Sequence, residues 1–144
     1  MVVTAIISVI GVGSIVAITR FSERREAQTD ALALAEHLRK IQVKASAVDV
    51  PTGCTGITNY TVSMSGASLT VNISCTVGSV TDAADLRFSL QNSVFSSAKT
   101  IVFDSRTVAA TITDIDICGN TYKYRVSVSA LGNISQPIYQ PSGC

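Results

Sequence analysis

Tryptophan is absent from this 144-residue chain, histidine occurs once, and only 15% of residues are charged. With a single histidine, His37, no Ser/His/Asp or Cys/His set has a supporting motif, and enzymatic activity is not expected. Cys54, Cys75, Cys118 and Cys144 include no C-x-x-C pair and lie far from His37, which argues against zinc; no metal or cofactor is expected. A net charge of +1 speaks against an electrostatically bound partner such as bulk nucleic acid. Proline is scarce as well, and the first, Pro51, leaves everything before it free to be helical. The longest gap is one of charge: residues 1–19 (MVVTAIISVIGVGSIVAIT) hold no charged side chain at all.

What fills that gap is apolar on every face. As a helix, residues 1–19 would run about 28 Å, close to the ~30 Å of a bilayer's hydrocarbon core. They carry Ile6, Ile7, Ile10, Ile15 and Ile18, with Gly11, Gly13 and Ser14 where helices could approach closely. From residue 20 the pattern becomes amphipathic. Ala27, Ala31, Leu34, Leu38, Ile41, Ala45 and Val48 recur at alternating steps of four and three, which draws one stripe along a helix. Glu23, Arg24, Arg25, Glu26, Asp30, Glu36, Arg39, Lys40 and Lys44 lie beside it and are expected in water, as is His37. One helix over 1–48 is therefore predicted, a membrane-length stem running into a helix packed on a folded domain.

The stem is not a cleaved signal peptide in form, since no basic region precedes it and no A-x-A follows. Orientation gives conflicting signs. Arg20, Arg24 and Arg25 favour the cytoplasm by the positive-inside rule, whereas four cysteines favour an oxidising compartment and two disulfides. Basic residues upstream of Met1 would reconcile the two. Four cysteines admit three connectivities; sequence locality favours Cys54 with Cys75 and Cys118 with Cys144 without excluding the others.

Beyond the turn residues 51–56 (PTGCTG) the period becomes two. Residues 57–75 predict a hairpin turning at Ser65-Gly66, and 86–90, 100–103 and 111–118 predict shorter strands. Gly119-Asn120 then turns the chain into Tyr122, Tyr124, Val126 and Val128, and residues 132–144 show little pattern. The expected fold class is α+β: a stem over 1–20, its amphipathic continuation over 21–50, and a disulfide-bonded antiparallel β domain over 51–144. The helix stripe should cover one sheet of at least four strands. Asp104, Asp114 and Asp116 raise calcium, but D-I-D on a strand lacks the glycine turn of a known loop, so a solvated sheet face is expected. Asn59, Asn72 and Asn133 each open an N-x-S/T sequon, which matters only if the chain is exported to a glycosylating compartment.

Residues 2–21 (VVTAIISVIGVGSIVAITRF) resemble the hydrophobic segment of type IV pilins and type II secretion pseudopilins. Val2-Val3, Ala5-Ile6-Ile7 and Ala17-Ile18-x-Arg20-Phe21 carry the likeness, and residues 124–134 resemble the closing strand region of the H-type pseudopilins and their pilus relatives. The family's Gly-Phe-Thr-x-x-Glu peptidase site is not present, nor its helix-loosening proline, near Thr19 here. The expectation is a precursor in which a short basic leader and that site precede Met1.

The resemblance implies a structural subunit whose stem sits in the inner membrane as a single pass and then packs with other pilin or pseudopilin stems in an extracellular or periplasmic filament. Its partners would be like subunits, inner-membrane assembly machinery, a prepilin peptidase and, before assembly, membrane lipid. Two other functions fit the same pattern: a filament-tip subunit capturing DNA or a secreted substrate, and an unrelated single-pass anchored domain. DNA is disfavoured because residues 133–144 hold no Lys or Arg, while Arg87, Lys99, Arg106, Lys123 and Arg125 are scattered along the sequence.

Overall fold

The computed structural model describes residues 2–47, 50–107, 109–142 and 144, with side chains described from residue 18 onward. One helix, α1, spans Val2–Ala47 without a break, as its freedom from proline allows. Ala27, Ala31, Leu34, Leu38, Ile41 and Ala45 are all buried, so the stripe faces the core as its spacing demands; Val48 lies outside the described residues. Ala35 joins them. Lys44 in the last turn suits the negative end of the helix dipole.

Among the described residues nine strands follow: β1 (Thr55–Ser65), β2 (Ser68–Val77), β3 (Ser79–Val80), β4 (Phe88–Ser89), β5 (Val94–Phe95), β6 (Lys99–Asp104), β7 (Thr113–Cys118), β8 (Lys123–Val128) and β9 (Ile138–Gln140). The expected hairpin is β1–β2, closed by Gly66 and Ala67 between the paired Ser65 and Ser68. Gly66 has φ 59°, the sign that the first central position of a type II′ turn requires.

The fold is α+β with all its strand pairs antiparallel, but it holds two sheets rather than the one expected. The first runs β3-β2-β1-β6 with β4 also on β2; the second runs β5-β7-β8-β9. Residues 109–111 stitch them. Ala109 accepts from the Asp104 N–H and the Thr111 N–H donates to Val102, both on β6, while the Ala110 N–H donates to Ala130 just past β8. Thr111 thus serves the seam and β7 begins two residues later than the alternation suggested. Helix α1 contacts β1 and β6 of one sheet and β7 and β8 of the other. Leu34, Leu38 and Ile41 share one core cluster with Tyr60, Val62, Ile101 and Phe103 and with Ile115, Ile117 and Val126.

Other departures have local causes. Where one strand was expected over 86–90, a short 3-10 turn, Ala84–Leu86, ends and the two-residue β4 follows. Strands β3, β5 and β9 have two or three residues each, too short for period two to show. Tyr122 sits in the β7–β8 connection, where its carbonyl accepts from the Gly119 N–H.

That connection also explains two small residues. A Cβ on Gly119 would lie 3.1 Å from the Ala27 Cβ, so the helix and the turn meet where neither carries bulk. Gly119→Val is expected to destabilise the domain by about 1–3 kcal/mol through overpacking, read as a lower urea midpoint at an unchanged m-value. An unshifted midpoint would show that the helix can yield there at no cost.

The disulfides are Cys54–Cys75 and Cys118–Cys144, each with Cα atoms 5.7 Å apart. The first ties the segment after α1 to the outgoing strand β2; the second ties the end of β7 to the tail.

Candidate functional site

The place where α1 leaves the β domain gathers the groups with the clearest potential for interaction. Ala27 is the first buried side chain among those described on the helix; Ile18 and Phe21 below it are 68% and 62% exposed. Ile6, Ile7, Ile10 and Ile15 lie on the helix backbone further toward its start, their side chains outside the described residues. Among the described residues no helix is long and apolar enough to cross a membrane, and the expected stem over 1–19 falls almost wholly outside those with described side chains.

Arginines and tyrosines ring this foot. The Arg24 guanidinium stands 5.4 Å from the centre of the Tyr139 ring and Arg25 stands 5.6 Å from that of Phe21, both in cation–π range. Tyr139 leans on Tyr122 and Tyr124 with ring centres 6.1 and 5.8 Å away. Hydrogen bonding to Tyr124, then the field of the neighbouring tyrosines, holds the Arg24 guanidinium above its ordinary pKa. The Thr121 hydroxyl donates to the Glu23 carboxylate at 3.3 Å. Sequence alternation had marked Tyr122 and Tyr124 only as strand residues, and nothing local tied Tyr139 to residue 24. The β7–β8 and β8–β9 pairings bring them together.

Two polar residues expected in water are elsewhere. Asp30 is 5% exposed, because its carboxylate accepts the backbone N–H groups of Gln91 (3.4 Å) and Asn92 (2.9 Å) and so anchors the loop before β5 to the helix. His37 is half-buried: its ring stacks on Phe88 and its Nε2–H donates to the Leu86 carbonyl at 2.8 Å. It is therefore a packing residue linking α1 to the 84–89 segment. Nearby, Lys44 pairs with Asp85 and holds that carboxyl below its ordinary pKa.

The D-I-D carboxylates do share one face, yet Asp116 is far from solvated, its side chain only 16% exposed. Arg125, directly opposite on β8, donates Nε to Asp116 Oδ1 at 2.7 Å and Nη2 to Oδ2 at 3.0 Å, and Lys123 adds a contact at 3.1 Å. Asp114, more open, accepts from the Ser127 hydroxyl at 2.6 Å. Asp104 accepts the N–H groups of Arg106 and Thr107, the second side of a tight turn. Lys123 and Arg125, scattered in sequence from the other cations, are thus spent on carboxylates. No cluster of metal-ligating side chains is found among the described residues.

Hydrogen bonds from Arg125 above all, opposed by desolvation, lower the Asp116 pKa. A depressed carboxyl pKa adds stability that is complete above the unfolded value near ~4 and is lost as pH falls through the folded value. Asp116→Asn is expected to lower stability at pH 7 by about 1 kcal/mol, since the half-exposed Arg125 is screened. Urea midpoints of the two proteins should converge from pH 5 downward; a constant gap would show that the ionised carboxylate is not what stabilises.

A shallow groove of about 490 Å³ lies at the edge of β2, lined by Thr70, Asp82, Arg87 and Phe88, but Arg87 and Asp82 pair with each other across it. It offers no activated nucleophile or base. Compared with known proteins, the chain matches no family model, no curated protein and no solved structure.

Proposed function

We propose that this protein is a structural filament subunit of the type IV pilin or type II secretion pseudopilin kind, anchored by its helix before assembly and polymerising through it. The reading rests on one observation: the helix Val2–Ala47 is a single element, yet among its described side chains, which begin at Ile18, the first buried one is Ala27. The β domain reaches down the helix as far as Glu23, through Thr121; residues 2–22 before it would run about 31 Å, and the first part of them is free of charge. An element of that length and composition is suited to lipid first and to neighbouring stems afterwards, exchanging one apolar contact for another. The resemblance of residues 2–21 to the pilin segment supports the same assignment, with like subunits, assembly machinery and a prepilin peptidase as partners. Disulfides on the folded domain suit a periplasmic or extracellular destination.

Ile10→Lys tests it. A lysine among packed apolar stems costs about 2.5–3.5 kcal/mol, so incorporation into filaments should fall roughly a hundredfold. Deleting residues 1–20 should abolish incorporation altogether while leaving the melting temperature of the β domain unchanged, because the core begins at Ala27. Filaments that accept the Ile10→Lys subunit normally would sink the proposal.

A further inference from the structure

We propose that Asn133 is an acceptor site for an N-linked oligosaccharide, selected by the fold from three sequons of the same form. The inference rests on export of the domain, as proposed above. Asn59 lies in β1, the strand held on both sides by β2 and β6, and Asn72 lies in β2. The two sequons face each other across the ladder: Asn59 is opposite Ser74, and Thr61 is opposite Asn72. Both asparagines are half-buried, and both amide oxygens are occupied, Asn59 by the Thr61 hydroxyl at 3.4 Å and Asn72 by the Asp82 N–H at 2.7 Å. A transferase must bend its acceptor peptide to reach the amide nitrogen, and here that would tear the centre of a sheet.

Asn133 is placed differently. It is exposed, at the end of the turn that follows β8, where Gly132 takes a φ of 77° and Ser129 and Asn133 exchange hydrogen bonds. Its carboxamide makes no hydrogen bond among the described residues. Exposed turns of this kind yield to an enzyme at little cost to the fold, and the rest of the sequon is held by the Val128–Ile134 bridge and by two hydrogen bonds that Ser135 exchanges with Ser127 at 2.9 Å, on one side only. Ile112, 74% exposed, lines a groove with Asn133, Val128 and Ile134, an apolar bed that the less polar face of a sugar ring could cover. In the transfer, the Asn133 Nδ2 forms a bond to the anomeric carbon of an oligosaccharide carried on a polyprenyl phosphate. The bond from that carbon to the phosphate oxygen breaks, the phosphate leaves with the electron pair, and one amide proton passes to base.

The test is intact mass and glycopeptide mapping of the full chain purified from its native host, with thiol alkylation on the same sample. A saccharide increment on the peptide containing Asn133 is expected, with Asn59 and Asn72 unmodified. Asn133→Gln and Ser135→Ala should each abolish the increment, and Ser135→Thr, which preserves the sequon, should retain it. An unmodified Asn133, or a glycan on Asn59 or Asn72 instead, overturns the proposal. If all four cysteines then resist alkylation, the export reading survives that loss; if they react, both readings fall.

Discussion

Leu34→Asp is expected to unfold the β domain, although the substitution is on the helix and changes no residue of any strand. Leu34 is completely buried, in the cluster that joins α1 to both sheets. Truncating such a leucine removes about 2–5 kcal/mol, and an unpaired carboxylate in its place adds several more. The sum is comparable to the whole stability of a domain, roughly 5–15 kcal/mol. Leu38→Asp should behave alike. Leu32→Asp is the control, two residues earlier on the same helix but 39% exposed, and should change stability by no more than about 0.5 kcal/mol. Far-UV circular dichroism with urea titration separates the cases. A folded Leu34→Asp protein would mean that the helix is not the shared core of the two sheets.

The second large effect is expected from the disulfides. They close loops whose ends are 21 and 26 residues apart, and each closure is worth about 3–3.5 kcal/mol in the chain-entropy model. Replacing Cys118 and Cys144 together by alanine should lower the melting temperature by roughly 10–20 °C. It should also loosen the tail first, because β9 has only three residues and forms the edge of its sheet. Replacing Cys54 and Cys75 should cost a similar amount but act at the end of α1. With both bridges gone the combined loss of about 6–7 kcal/mol reaches into the range of total stability, and the chain should be largely unfolded at 37 °C. Calorimetry with and without reductant measures each step. A shift of only a degree or two would show that the denatured chain already holds those ends together.

The hairpin of β1 and β2 was legible because its burial alternates from Tyr60 to Met64 on one strand and from Leu69 to Ile73 on the other, facing each other across one tight turn. The helix was legible because its six described stripe residues are all buried. Strands of two or three residues carry no such signal, and β4 and β5 pair with strands 19 to 24 positions away in the chain. The foot of the helix was half legible. Its arginines and Phe21 stood out after the uncharged run, but the tyrosines facing Arg24 come from residues about a hundred positions further on.

Composition and periodicity by themselves determined an α+β chain with a long helix of two unlike halves and a cysteine-bearing β domain. Those properties are local, set by spacing along the backbone and by the absence of proline. Tertiary structure alone decided that the helix covers the seam between two sheets, because residues 109–111 bond to β6 on one side and to Ala130 on the other. It also decided the fate of individual polar groups. Asp30, His37 and Asp116 read as solvated in a linear pattern, yet each meets a partner between 9 and 62 positions away that satisfies it under cover. A buried polar group is tolerated only where such a partner exists, and whether one exists depends on how the strands and the helix are brought together, even when the partner is near in sequence.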